Sequence, residues 1–263
     1  MTDDETGTEA ETKVAVAGVR GRMGRLILDV IKTRNTVELI GAVDRNGVGD
    51  EIREHGVEIM SPDEAEEAFD EADVAIEFTS PEGTQRFVEA ALSTRTPLVT
   101  GTTGLTDETE SKIEDAADEI PVLQSSNFAT GVNAFWEIVE EAASLLPGYD
   151  YEVTETHHRH KVDAPSGTAL TTVERIENGI GDREHVHGRE GEAPRSDEIG
   201  VHARRAGEIV GEHEVLISGE GESVIIKHRA GERRAFAAGA VDAAVFLAGQ
   251  EPGLYGMDDV LDL

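Results

Sequence analysis

The chain contains no cysteine. That excludes a disulfide framework, a thiol nucleophile and a thiolate metal site. Lysine is almost as scarce: five residues in 263, within a total of 23 Lys and Arg set against 55 Asp and Glu. A formal net charge of −32 repels nucleic acid and anionic membrane, which excludes both as general partners. So acidic a surface with so little lysine reads as an adaptation to molar salt, where screening removes the self-repulsion. No apolar run approaches the ~20 residues that cross a bilayer. Residues 1–12 are rich in Asp, Glu and Thr and have no apolar stretch of the kind a signal peptide carries. They read as a disordered acidic tail, and the expected location is the cytoplasm.

Against this background one segment reverses sign. Glu155–Thr168 holds His157, His158, Arg159, His160 and Lys161 in five consecutive positions. In a strongly acidic protein such a cluster makes a local pocket for an anion. Histidine adds a proton donor that works near neutral pH, and lysine adds a hydrogen-bonding cation. Pro165-Ser166-Gly167-Thr168 then reads as a turn entering a helix, whose free amides bind carboxylate or phosphate. The missing cysteine, and the lack of a carboxylate at a fixed ligand spacing from His157, His158 and His160, argue against a metal centre.

A second pattern lies near the start. The β-leaning run Lys13–Ala17 is followed at once by Gly18-Val19-Arg20-Gly21-Arg22-Met23-Gly24 and then by the helical spacing of Leu26, Ile27, Val30 and Ile31. Strand, glycine turn and helix are the setting of a dinucleotide-binding turn, here with the spacing G-x-x-G-x-x-G. The next strand, Val37–Val43, ends in Asp44-Arg45. An acid at this separation bonds the adenine ribose, and an adjacent Arg meets a 2′-phosphate, so the pair suggests use of both NADH and NADPH.

Alternating strands and helices continue through Val57–Met60, a short helix opened by Ser61-Pro62 and Glu64, Val74–Phe78, a helix over Thr84–Leu92, Leu98-Val99, a helix capped by an Asp107/Glu110 pair, and Val122-Leu123. This grammar means a parallel sheet covered on both faces, with ligands beyond the carboxyl ends of its strands. From Thr130 it changes. A helix over Gly131–Leu146, a strand over Tyr151–Thr156, the basic segment and a helix near Thr168–Asn178 lead to three β-rich runs, Gly200–Arg205, Glu208–Ser218 and Ser223–Ala230. Consecutive runs with tight turns read as a mostly antiparallel sheet. Residues 182–198 read as a mobile polar loop. Phe236–Leu247, an apolar helix with small residues, reads as returning to cover the first domain. The expected class is therefore α/β. A Rossmann-type parallel-sheet dinucleotide-binding domain spans 13–129 and is completed by 236–263. An α+β substrate and oligomerisation domain spans 130–235.

Together, Gly18–Gly24, Phe78-Thr79-Ser80-Pro81-Glu82-Gly83-Thr84, Gly101-Thr102-Thr103-Gly104, Ser126-Asn127-Phe128 and the string from Glu155 to Ala169 closely resemble the dihydrodipicolinate reductase family. The resemblance implies NAD(P)H-dependent reduction of 4-hydroxy-tetrahydrodipicolinate to tetrahydrodipicolinate in the diaminopimelate route to lysine, by a homotetramer. It implies His157 and Lys161 as catalytic residues, with His157 the proton donor. It implies contacts from His158, Ser166, Gly167 and Thr168 to a substrate carboxylate. Cofactor contacts are implied for Gly18, Val19, Arg20, Gly21, Arg22, Met23, Asp44, Arg45, Gly101, Thr102, Thr103, Ser125, Ser126, Asn127 and Phe128. Arg20 stands where family members often have glycine, which puts the pyrophosphate geometry in question. Competing readings are another two-domain NAD(P)-dependent oxidoreductase of the aspartate dehydrogenase kind and a non-catalytic dinucleotide-binding regulator.

Overall fold

Alternation along Thr12–Ala17 (β1) sends Val14 and Val16 into one apolar core and Ala15 and Ala17 into another, on the opposite face of the same sheet. A strand buried on both sides requires helices on both sides. The computed structural model describes residues 11–262, so most of the acidic tail expected over 1–12 lies outside the described residues. After β1 come Arg22–Ile31 (α1), Val37–Val43 (β2), Glu51–Ile52 (β3), Val57–Met60 (β4), Ala65–Phe69 (α2), Val74–Glu77 (β5), Pro81–Thr94 (α3), Leu98–Thr100 (β6), Asp107–Ala117 (α4) and Pro121–Gln124 (β7). Helix α1 turns Ile27, Val30 and Ile31 onto the first core, while α2, α3 and α4 supply Phe69, Phe87 and Ile113 to the second. Burying each such side chain contributes about 1.5–3 kcal/mol.

Two helix starts differ from the sequence pattern for local reasons. Ser80 caps α3 by accepting from the Gly83 amide, with Pro81 preset at the first helical position, so the helix begins three residues before Thr84. The cap of α4 is Thr106, whose hydroxyl accepts from the Thr109 amide; Asp107 and Glu110 sit inside the first turn, where they favour the positive end of the helix dipole. The expected box at Ser61 is present, with the Ser61 amide donating to Glu64 at 2.8 Å.

The next stretch forms a separate compact unit, Ala129–Ala235. It contains Thr130–Leu145 (α5), Asp150–His157 (β8), Gly167–Ile180 (α6), His185–Val186 (β9), Ile199–Arg205 (β10), Gly211–Ser218 (β11) and Ser223–Ala230 (β12). Its sheet has the order β12-β11-β8-β10-β9. The ladders of β11 with β12 and with β8 are antiparallel, whereas β10 runs parallel to β8. The consecutive runs β10 and β11 therefore do not form a hairpin, because β8 lies between them. Residues 182–198 are tied down: Glu198 is buried, accepts from the Ser196 amide and hydroxyl at 2.8 and 2.7 Å, and pairs with Arg189, while Arg195 pairs with Glu152. The mobile loop expected there is instead a charge-stapled segment containing β9.

The chain then returns to the first unit, which comprises residues to Phe128 together with Phe236–Asp262. Arg234–Leu247 (α7), Gly253–Tyr255 (β13) and Met257–Leu261 (α8) complete it. Helix α7 buries Ala237, Ala240, Val241, Ala244 and Leu247 in the core that also holds Val14 and Ile27. A Cβ at Gly239 would stand 1.7 Å from the Phe128 carbonyl oxygen, so glycine is what allows the helix this close. The first sheet has the order β13-β7-β6-β5-β1-β2-β4-β3 and is parallel except for β3 against β4. Chain direction across the sheet reverses between β1–β2 and β1–β5, and the crevice at that switch point is where such sheets bind nucleotides. No helix among the described residues is long and apolar enough to cross a membrane.

Candidate active-site residues

At the carboxyl end of β1 the backbone turns on Gly18, whose φ of +87° suits only glycine. A Cβ there would lie 2.5 Å from the Phe78 carbonyl oxygen, and one at Gly24 would lie 2.1 Å from the Gly18 oxygen. The Gly21 amide donates to the Gly18 carbonyl at 2.9 Å and closes the turn. Helix α1 then starts without a side-chain cap and without an acid in its first turn. Its leading amides are therefore left for an anion, which fits a pyrophosphate.

Asp44 sits buried at the end of β2, where it accepts from the Arg20 and Asn46 amides, each at 2.8 Å. The Arg20 guanidinium is drawn aside to Asp50 at 2.7 Å. A cavity of about 430 Å³ is lined by Gly18, Arg20, Gly21, Asp44 and exposed Arg45, together with residues of the β5–α3 loop and Arg86. Its volume and its donors suit the adenosine end of a dinucleotide.

Other expected cofactor residues lie outside that cavity. Val19 and Phe128 are core residues, exposed by 1% and 2%, and can meet a ligand only through their backbones. Arg22 and Met23 open α1. The Phe78 ring lies edge-on to Phe128 at 5.3 Å, and a Cβ at Gly101 would overlap it at 2.0 Å. Thr102 accepts from the Thr79 amide at 3.0 Å, and Thr103 is exposed. Ser125 donates to the Asn127 carbonyl, Asn127 is buried and Ser126 is exposed.

Beneath these loops lies a group that sequence reasoning missed. Glu77 is fully buried, and its carboxylate receives the hydroxyls of Thr84 and Thr100 on one oxygen and of Thr79 and Thr102 on the other. Burial pushes its pKa up, and the four hydroxyls oppose that rise. Thr79 and Thr102 belong to the β5–α3 and β6–α4 loops, so one carboxylate ties two rim loops together.

In the second unit, alternation along β8 places Tyr151, Val153, Glu155 and His157 on one buried face, apolar first and polar at the carboxyl end. Glu155 is fully buried. Arg205 of β10 grips it with two nitrogens at 2.7 and 2.9 Å, the Ser166 amide donates to it at 3.2 Å, and His157 Nδ1 meets its other oxygen. Burial would raise the Glu155 pKa, but hydrogen bonds and charge from His157 and Arg205 outweigh it and hold the pKa at about 2. Register places His213 of β11 opposite Glu155, and His228 of β12 opposite His213. The His157 and His213 rings meet edge to face at 5.2 Å. Burial, followed by the charge of His157, drives the His213 pKa down to about 3, so this ring is neutral at ordinary pH.

Ser166 caps α6 by accepting from the Ala169 amide at 3.2 Å, and its oxygen lies 3.3 Å from His213 Nε2. The Ser166 side chain thus makes its contacts at the start of α6, where the carboxylate contact was expected. Gly167 is exposed, and a Cβ on it would meet nothing within 4 Å. Lys161 pairs with Asp163 at 2.9 Å, and His158 Nε2 lies 3.3 Å from Arg233. Glu155 and His157 could be linked from sequence by their two-residue spacing on a strand. Arg205 and His213 carry no local signal. Among the described residues no three His, Asp or Glu are grouped to hold a metal ion.

Comparison with known proteins covers both units. The family model described as dihydrodipicolinate reductase, N-terminus, matches residues 12–128, and the model for the C-terminus matches 131–261. The 4-hydroxy-tetrahydrodipicolinate reductase of Methanosarcina mazei is 43% identical over 259 residues, covering 95% of this chain and 98% of that one. The enzyme of the same name from Haloarcula marismortui is 42% identical over 254 residues, covering 95% and 99%. The dipicolinate-bound dihydrodipicolinate reductase of Paenisporosarcina sp. TG-14 superposes with a TM-score of 0.78 at 26% identity, covering 94% of this chain and 97% of that structure. A myo-inositol dehydrogenase from Corynebacterium glutamicum, at 15% identity and a TM-score of 0.63, shares the fold alone.

Proposed function

The chain belongs to the dihydrodipicolinate reductase family, and we propose from the residues it carries how it reduces 4-hydroxy-tetrahydrodipicolinate to tetrahydrodipicolinate with a pyridine nucleotide. The activity is an oxidoreductase step in the diaminopimelate route to lysine; the aspartate dehydrogenase and regulator readings are not favoured. The carrying observation is that one buried carboxylate, Glu155, holds both the candidate proton donor His157 and the start of helix α6.

When bound, the nucleotide would supply the hydride, at ring C4 of the conjugated species that the 4-hydroxy substrate becomes on losing water. Gly18, Gly21 and the first amides of α1 hold its pyrophosphate, and Asp44 and Arg45 meet the adenosine ribose, where Asp44 favours NADH and Arg45 favours NADPH. Gly101–Thr103 and Ser125–Phe128 contribute backbone groups and hydroxyls at the rim. A substrate carboxylate docks at the helix start formed by Ser166, Gly167 and Thr168, with Lys161 supplying the opposing charge and His158 a hydrogen bond. His157 delivers the proton that completes the reduction. The protein acts in the cytoplasm as a homotetramer.

A coupled assay tests the reading. Aspartate semialdehyde, pyruvate and the pathway synthase generate substrate, and absorbance follows the nucleotide in high salt. Oxidation of NADPH and of NADH is expected only with the synthase present. Equal oxidation without the synthase, or none with either nucleotide, overturns it. Asp44→Ala is expected to weaken NADH more than NADPH, and Arg45→Ala the reverse; equal losses for both nucleotides would remove the pair from the ribose.

A further inference from the structure

We propose that Glu155, clamped by Arg205, is a positioning residue that sets the tautomer and the proton affinity of His157. The inference deepens the reading of His157 as proton donor and rests on it.

The contact is made through Nδ1, so the neutral ring carries its hydrogen there and donates it to Glu155 Oε2. Nε2 is then the nitrogen that exchanges protons. It faces Gly211 of β11, where a Cβ would approach it to 3.1 Å, so the glycine keeps space in front of the reacting nitrogen. Glu155 has no rotational freedom to abandon this role. Arg205 holds both its oxygens from β10, and the Ser166 amide holds Oε1 from the start of α6. A carboxylate so held remains an anion when the imidazole gains its second proton, and stabilises the resulting cation.

The other groups facing the ring agree with this assignment. His213 of β11 lies edge-on to it and His228 of β12 lies beyond, and burial lowers the pKa of both, so neither competes for the proton. Of the nearby cations, Arg205 is paired with Glu155 itself and Lys161 with Asp163. In the reaction Nε2–H of the imidazolium breaks as the proton passes to the substrate anion formed by hydride addition. The Nε2 lone pair is regenerated and later refilled from water. Nδ1–H stays with Glu155 throughout.

In Glu155→Gln the amide oxygen is kept by the Ser166 amide and Arg205 at the Oε1 position, which turns the NH2 toward Nδ1, favours the other tautomer and removes the anion. The expected result is a kcat lower by ~10² or more, with the substrate KM within about threefold of the parent. The descending limb of the kcat–pH profile, where the donor loses its proton, is expected to move to lower pH by about one unit or more. Glu155→Asp, which restores the charge, is expected to return that limb toward its original position. An unchanged limb in Glu155→Gln overturns the proposal. A measurement on the unmodified protein guards against misfolding of the variant and does not depend on turnover. Nitrogen NMR of the His157 imidazole, assigned with His157→Gln and recorded above its titration, is expected to show hydrogen on Nδ1. Hydrogen on Nε2 overturns the proposal even if the reductase activity is confirmed.

Discussion

Each unit holds one carboxylate with no exposure at all near the carboxyl end of a central strand, Glu77 in the first and Glu155 in the second, and the two are satisfied in opposite ways. Glu77 of β5 is ringed by four threonine hydroxyls and meets no cation among the described residues. Glu155 of β8 is gripped by a guanidinium and an imidazole. Neutral donors leave Glu77 with a raised pKa, while cationic donors hold Glu155 near 2. The difference fits the proposed roles. Glu77 joins two rim loops, and hydroxyls do that without adding charge. On the proposed reading Glu155 faces a group that changes charge, and an ion responds to that change.

The sharpest way to break the comparison is a double dissociation. His157→Gln is expected to lower kcat by ~10²–10⁴ while leaving nucleotide affinity unchanged. Gly18→Ala forces a side chain into a positive-φ turn and against the Phe78 carbonyl, which costs about 2–4 kcal/mol of stability or of turn geometry. It is expected to weaken nucleotide binding and lower the melting temperature, and to leave binding of a dicarboxylate substrate analogue intact. Fluorescence titration with each ligand reads both arms. Loss of both ligands in either variant would mean that the two sites do not work separately.

Acid stability gives a smaller effect with a definite sign. His213 titrates near 3 in the folded protein and near 6.5 when unfolded, so the unfolded chain binds more protons between these values. Stability is therefore expected to fall as pH drops from 6.5 toward 3. Glu155, with its pKa lowered from 4.5 to about 2, adds a loss only below 4.5. In His213→Gln the upper part of this slope, between 6.5 and 4.5, is expected to flatten in urea titrations. An unchanged slope there would show that His213 is not the neutral buried ring described.

The mildest expectation concerns salt and separates the interior from the surface. At ~0.1 M the Debye length is about 10 Å and at ~1 M about 3 Å, so molar KCl relieves the repulsion among the 55 acids. The melting temperature is expected to rise with KCl, whereas the kcat–pH limb of the proposed donor His157, which lies against buried Glu155, is expected to shift far less. A flat melting temperature would show that the acidity is not a salt adaptation.

Elements whose instructions are local were legible in the sequence. The Ser61/Glu64 box, the glycine turn at Gly18, the cap at Ser166 and the alternating strands of the first unit all lie within a few residues of what they control. Pairings made across the chain were not. The insertion of β8 between β10 and β11, the grip of Arg205 on Glu155 fifty residues away, and the ring of Thr84, Thr100 and Thr102 around Glu77 depend on topology that no short window contains. The motif at residues 125–128 identified a place in the fold, but not that the Phe128 side chain points into the core.

The return of α7 and β13 to the first sheet has a consequence for how the polypeptide is made. The second unit is one uninterrupted stretch, Ala129–Ala235, and can fold as soon as it leaves the ribosome. The first unit cannot finish until α7 has emerged, because Ala237, Ala240, Val241, Ala244 and Leu247 close the core over Val14 and Ile27. During synthesis the apolar face left by α1 and β1 therefore stays wet until the last thirty or so residues arrive. The half of the molecule translated first is the last to become native.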